Sequence, residues 1–173
     1  MGLSRRVRLP REKRIADTLI AARAVFEKHG YADAAMSEIA SKVGVVEGAL
    51  YRFFASKADL LMAVTSQWYE EIIVPLNEGL SKRKTLRDRL HFVVWHHLMC
   101  IQTSPELVNL FFNVVRMDKR YLGSELFNHN RRYVNLVTEI LREGVETGEL
   151  RADLPIELTR NMTFGLVEQQ TWA

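Results

Sequence analysis

Residues 36–53, MSEIASKVGVVEGALYRF, set a glycine between two short apolar-patterned segments, and few backbone geometries accept that arrangement. Ile39 and Val43 stand four apart and share one helix face. Ala40 is small where a second helix would have to cross close to the first. Gly44 supplies the residue that tolerates positive φ in a tight turn. Val45 follows it as an apolar residue, and Leu50 and Phe53 give the second segment one stripe to bury. In a single register these positions meet the needs of two helices packed at ~90–120° across a short turn, the helix-turn-helix. A helical hairpin of another kind requires neither the small residue nor this spacing. The free face of the second helix is then available to the DNA major groove.

Helical periodicity fills the rest of the chain. Ile15, Leu19, Ala22 and Phe26 mark a first helix, with Gly30 as its expected C-terminal cap. Ser56 with Asp59 reads as the N-cap of a long helix running through Leu60, Leu61, Val64, Trp68 and Ile72 toward Pro75, which is expected to end or kink it. A polar break, GLSKRKT, separates it from a helix over 86–102. Ser104-Pro105-Glu106 reads as a stop and a new start. Residues 117–124 are irregular, 125–147 form a long helix, and a last helix is expected over 155–172. No alternating strand pattern of useful length occurs. The class is all-α with about eight helices, divided into a basic N-terminal arm (1–10), a three-helix DNA-binding domain (11–56) and a further helical domain (57–173).

Charge follows the same division. Residues 1–60 hold eleven Lys/Arg against seven Asp/Glu, or +4; residues 61–173 hold thirteen against fourteen, or −1. Arg5, Arg6, Arg8, Arg11, Lys13 and Arg14 crowd the start. A basic end on a near-neutral body suits a polyanionic partner. No apolar run reaches the ~18–20 residues of a membrane span. The first residues lack the apolar stretch of a secretory signal. One cysteine, Cys100, fits a reducing compartment, so a cytoplasmic location with no membrane partner is expected.

GVVEGALYRFFASKADLL, with HGYADAAMSEIA before it, closely resembles the signature of the TetR (tetracycline-repressor-like) transcriptional regulators. The close resemblance covers about residues 11–65; beyond it only the helical layout and ILREGVETGELRADLP are similar. It implies a homodimeric, sequence-specific regulator, read here as a repressor, and assigns effector binding and dimerisation to the helical domain 57–173. Two recognition helices would lie one turn apart on a near-palindromic double-stranded operator, and a small lipophilic effector would release them. The resemblance implies that Tyr51 and Lys57 contact phosphate, with Ser37 and Lys42 as further phosphate contacts. It places Glu47, Gly48, Ala49 and Arg52 on the exposed face of the recognition helix. Ala35 and Val46 depart from the pattern, standing where many members carry Ser or Thr; each absent hydroxyl removes a helix cap of about 1 kcal/mol.

Candidate effector contacts mix large apolar groups with a few polar ones, as a pocket for an apolar ligand with a polar end requires. They are Trp68, Trp95, His97, Cys100, Asn113, Arg116, Phe127, Asn130 and Tyr133, with His96, Met99, Asn109 and Phe112 nearby in sequence. His96 and His97 point ~100° apart on a helix and cannot chelate one ion together, so no metal and no cofactor are expected. A Cys100 thiolate paired with His97 would need an orienting group and an oxyanion site, and neither is visible, so no enzyme is expected. The rival readings are a ligand-independent helix-turn-helix protein and, behind it, a Cys/His enzyme. Met162, Phe164, Leu166, Val167 and Trp172 make the last helix apolar enough for a dimer interface. The family builds that interface from two such helices, so the chain reads as about one helix short.

Overall fold

A computed structural model of the chain describes residues 10–169, and every regular element among them is helical. Most of the basic arm and the expected contribution of Trp172 lie outside the described residues, as does the side chain of Val167. The chain forms two compact units, Met1–Val64 and Thr65–Ala173. Their boundary falls inside a continuous helix, where the sequence reading puts it at 56/57.

The first unit opens with α1 (Arg11–Asp33), which buries Thr18, Ala22, Val25 and Phe26. Gly30 takes φ 70° and ψ −178°, breaking the helix at the expected position before a further short turn. α2 (Met36–Lys42) buries Ile39 and Ala40, and Gly44 turns the chain with φ 69°. α3 (Glu47–Leu50) is one turn long and ends before Phe53, which the sequence reading put with Leu50 on its buried stripe. Phe53 and Phe54 still bond to the Leu50 carbonyl, at 2.9 and 3.0 Å, but burial of Phe54 draws the chain away toward the next helix. Neither Ala35 nor Val46 caps its helix with a side chain.

α4 (Lys57–Ser81) starts at the expected cap, with the Asp59 amide donating to Ser56 Oγ at 3.1 Å. Pro75 does not end it. The proline is exposed, so its missing N–H costs one bond on the solvent side of a helix held by burial elsewhere. α5 (Leu86–Thr103) packs against α4 where Gly79 bares the backbone; a Cβ there would stand 2.1 Å from the Phe92 ring. The Arg83 guanidinium covers that ring at 3.6 Å. α6 (Pro105–Leu110) begins on Pro105, as read from sequence, and leads into a feature the sequence gives no sign of, a π-helical turn over Phe111–Val115. Its wide turn is closed by the Arg116 amide on the Phe111 carbonyl at 2.9 Å. α7 (Glu125–Glu146) starts on the Ser124 cap and buries Leu126, Tyr133, Val137, Ile140 and Leu141. α8 (Ile156–Gln169) turns Phe164 inward and leaves Leu158, Met162 and Leu166 exposed on a single stripe.

Candidate functional site

Two surfaces collect the residues singled out by sequence. The first is the free face around α3. Ser37, Lys42, Val46, Glu47, Gly48, Tyr51 and Arg52 are exposed there, and Ala49 is half-buried. Leu50 is buried beneath them, so the helix is fixed by its inner stripe while its outer face stays open. Gly48 has nothing within 4 Å of the place a Cβ would occupy. The Tyr51 hydroxyl donates to Glu47 Oε1 at 3.4 Å, one turn back along the helix. That bond positions the aromatic, and a phosphate would compete for it.

Lys57 is held by contacts within the first unit. Its ammonium donates to the carbonyls of Ala32 and Ala34 at 3.1 and 3.0 Å and lies 4.7 Å from the centre of the Tyr31 ring. The carbonyls at the end of α1 lack intrahelical donors, and the lysine supplies them. Lys57 thus ties the start of α4 to the end of α1. Lys57→Ala is expected to destabilise the first unit by about 1.5 kcal/mol, the low end of the ~1.5–3 kcal/mol range for hydrogen bonds to a charged group, since one of the two bonds is exposed. Circular dichroism during thermal unfolding measures this. A phosphate ligand would instead lower the log–log salt slope of DNA binding by about 0.9; an unchanged melt with such a drop would reverse the assignment.

The second surface is internal. A cavity in the second unit is lined by Trp68, His97, Cys100, Asn130 and Tyr133 from the expected set. Tyr69, Ile72, Phe111, Phe112 and Phe164 join them. Four expected residues stand elsewhere. Trp95 is 49 % exposed and stacks on Phe92. Asn113 is exposed and bonds to Asn109; Arg116 is exposed, with its guanidinium 5.2 Å from the Phe112 ring centre. Phe127 packs on Tyr121. The wide turn at Phe111–Val115 shifts the helical register there, so a regular 3.6-residue projection misplaces Asn113 and Arg116. Tyr69 was passed over beside Trp68, yet both line the space, and Asn130 Nδ2 donates to the Tyr69 hydroxyl at 2.7 Å.

The polar part of the lining is uncharged at neutral pH. Among the described residues, no Lys, Arg, Asp or Glu borders the cavity. The Tyr133 hydroxyl stands 3.2 Å from His97 Nδ1 and 3.4 Å from His96 Nδ1, able to donate to one and accept from the other. Burial, reinforced by neighbouring His96, pushes the His97 pKa down to about 4, and burial lowers that of His96 too. Burial also raises the Cys100 thiol to about 11. The thiol approaches His96 Nδ1 at 3.6 Å rather than His97. A protonated thiol beside a neutral imidazole is a weak nucleophile, which argues against the Cys/His enzyme.

The histidine shift carries a stability consequence. The unfolded chain binds a proton on His97 near pH 6.5, whereas the folded chain does so only near pH 4. Its contribution is therefore complete above about pH 6.5 and lost progressively as pH falls to about 4. The loss is expected to be of order 3 kcal/mol, read as a falling urea midpoint over that interval. His97→Gln should flatten the profile.

Comparison with known proteins gives the following. Residues 19–64 match the family of bacterial regulatory proteins, tetR family, and residues 66–173 match the YsiA-like protein, C-terminal region. The fatty acid metabolism regulator protein of Bacillus subtilis (strain 168) is 27% identical over 150 residues, covering 86% of this chain and 77% of that protein. The HTH-type transcriptional activator FasR of Mycolicibacterium smegmatis is 38% identical over 111 residues, covering 64% of this chain and 51% of that protein. The crystal structure of FadR from Bacillus subtilis in complex with stearoyl-CoA superposes with a TM-score of 0.78 at 25% identity, over 90% of this chain and 84% of that one.

Proposed function

The chain belongs to the tetR family of bacterial regulatory proteins and is a DNA-binding transcriptional regulator; from that premise we propose that it is a homodimeric repressor released from a near-palindromic operator by an effector with a long apolar chain. The observation that carries the effector class is the cavity, apolar and aromatic around a neutral cluster of Tyr133, His97, Cys100 and Asn130. A charged headgroup finds no counter-ion among the described lining residues, whereas an acyl chain or a neutral carbonyl does find suitable walls. The stearoyl-CoA complex of the similar FadR points the same way.

The cavity leaves about 20 Å³ for the centre of a water, which is room for about one water molecule. A long chain enters only when the wall parts. Coupling follows from that requirement: a ligand that selects the parted state shifts the population away from the closed one. Operator binding responds to the extent that it prefers one of them.

The dimer reading rests on α8. Leu158, Met162 and Leu166 are 56 %, 56 % and 67 % exposed, four residues apart on one stripe. A second copy of the same stripe would bury them across a two-fold axis. No helix among the described residues is long and apolar enough to cross a membrane, and we place the protein in the cytoplasm with its DNA.

The test uses duplexes selected by the protein from a random library and follows their release by fluorescence anisotropy. Stearoyl-CoA is expected to weaken binding at least tenfold, while coenzyme A alone leaves it unchanged. If no long-chain compound alters affinity, the ligand-independent reading stands instead.

A further inference from the structure

The second unit holds a polar cluster that neither the cavity nor the DNA-reading face uses. His129 lies on α7 with its side chain 6 % exposed. Its Nδ1 is 2.9 Å from Ser66 Oγ on α4. Its Nε2 faces two carboxylate oxygens, Glu70 Oε1 at 3.7 Å and Glu125 Oε1 at 4.0 Å, both beyond hydrogen-bond range. All three ligand atoms lie within 4.8 Å of one another.

Helical spacing builds the cluster. Glu70 stands one turn beyond Ser66 on α4, and Glu125 one turn before His129 on α7, so each helix presents two polar groups on one face. The serine does for the imidazole what an outer-sphere partner does for a metal-ligating histidine: when Nδ1–H donates to it, the Nε2 lone pair points outward. The spacing matches a shared central atom better than direct contact. Ligands at ~2.0–2.2 Å from one ion lie roughly 3–4 Å apart, whereas a direct ion pair would close to about 2.8 Å. Charge argues likewise. Two carboxylates that converge on one imidazole nitrogen repel each other, and a divalent cation between them neutralises both.

We propose that Glu70, Glu125 and His129 form a binding site for a first-row divalent transition ion, Zn²⁺ foremost. One imidazole with two carboxylates favours zinc over magnesium, which avoids nitrogen ligands and keeps its water. The remaining coordination positions open to solvent, since the glutamate side chains are 63 % and 82 % exposed. A bound ion would cross-link α4 to α7 beside the Tyr69–Asn130 hydrogen bond.

The experiment titrates the EDTA-stripped full chain with ZnCl₂ by calorimetry and follows the same titration by thermal unfolding. The expected result is one tight equivalent per chain, a raised melting temperature, and no comparable response to MgCl₂. Glu70→Gln and Glu125→Gln alter exposed groups, so both variants should fold; each is expected to lose at least tenfold in zinc affinity and most of the thermal shift. Co²⁺ should give visible absorption bands that both variants reduce. No stoichiometric binding, or binding unchanged in both glutamine variants, overturns the proposal. The latter outcome would move the ion to another histidine or to Cys100.

Discussion

Gly48→Glu is expected to abolish operator binding while leaving the first unit folded. Nothing lies within 4 Å of the missing Cβ, and the glycine sits on the exposed face of α3. Its φ is not in the left-handed region, so an L-residue fits without strain. Helix propensity even favours the change, since glycine costs about 1 kcal/mol relative to good helix formers. Against DNA the same change is severe. The added side chain occupies the space into which a base edge would come, and it places a second carboxylate beside Glu47 near the phosphates. Loss of one good base contact removes about 1–3 kcal/mol, and steric exclusion with charge repulsion adds to it. An affinity drop beyond about a hundredfold, with an unchanged or higher melting temperature, is the expected pair of results. Retained affinity in the folded variant would show that α3 does not approach DNA with this face.

Tyr133→Ala is expected to be the most destabilising single change in the second unit. Tyr133 is 2 % exposed, and its ring lies within 6.3 Å of those of Tyr69, His96, His97 and Phe164. Removing a buried aromatic typically costs about 3–5 kcal/mol. Tyr133→Phe keeps the ring and removes only the hydroxyl between the two histidines, and should cost about 1 kcal/mol. All three tryptophans, Trp68, Trp95 and Trp172, lie beyond Val64. Tryptophan fluorescence in urea therefore reports the second unit alone. Similar losses for Ala and Phe would mean that the hydroxyl, not the ring, organises this core.

The sequence carried different parts of this structure unequally. The helix-turn-helix was legible because its demands are local: Ile39, Ala40, Gly44 and Leu50 each answer one steric requirement within a few residues. Ser56 and Pro105 marked helix starts for the same reason. Lys57 was less legible. Its position at the start of α4 suggested a phosphate, but its partners, the Ala32 and Ala34 carbonyls, are set by how α1 ends. The cavity wall depended in part on an irregularity that helical projection ignores, so Trp68 and Tyr133 were found while Phe111 was not assigned to it; Phe164 on α8 was read as part of a dimer stripe, but it turns inward. Glu70 and His129 escaped notice because ligand spacing was sought within one helix, around His96 and His97. The proposed cluster joins residues far apart in sequence, through a half-buried serine on α4 and a buried histidine on α7.

The π-helical turn at Phe111–Val115 bears on how such a receptor can diverge. A wide turn of this kind is what one inserted residue leaves in a helix whose two ends are already anchored. Deleting a residue there would restore a regular helix while the anchored ends keep their places, so that only the residues of the turn itself take new positions. Phe111 and Phe112 would then exchange neighbours without any change of amino-acid type. The length of this segment, and not only its composition, therefore sets how Phe111 and Phe112, which both line the chamber, are presented to it. Gain or loss of a single codon at this turn would be expected to reshape the chamber wall while leaving the anchored helices and the DNA-reading end as they are.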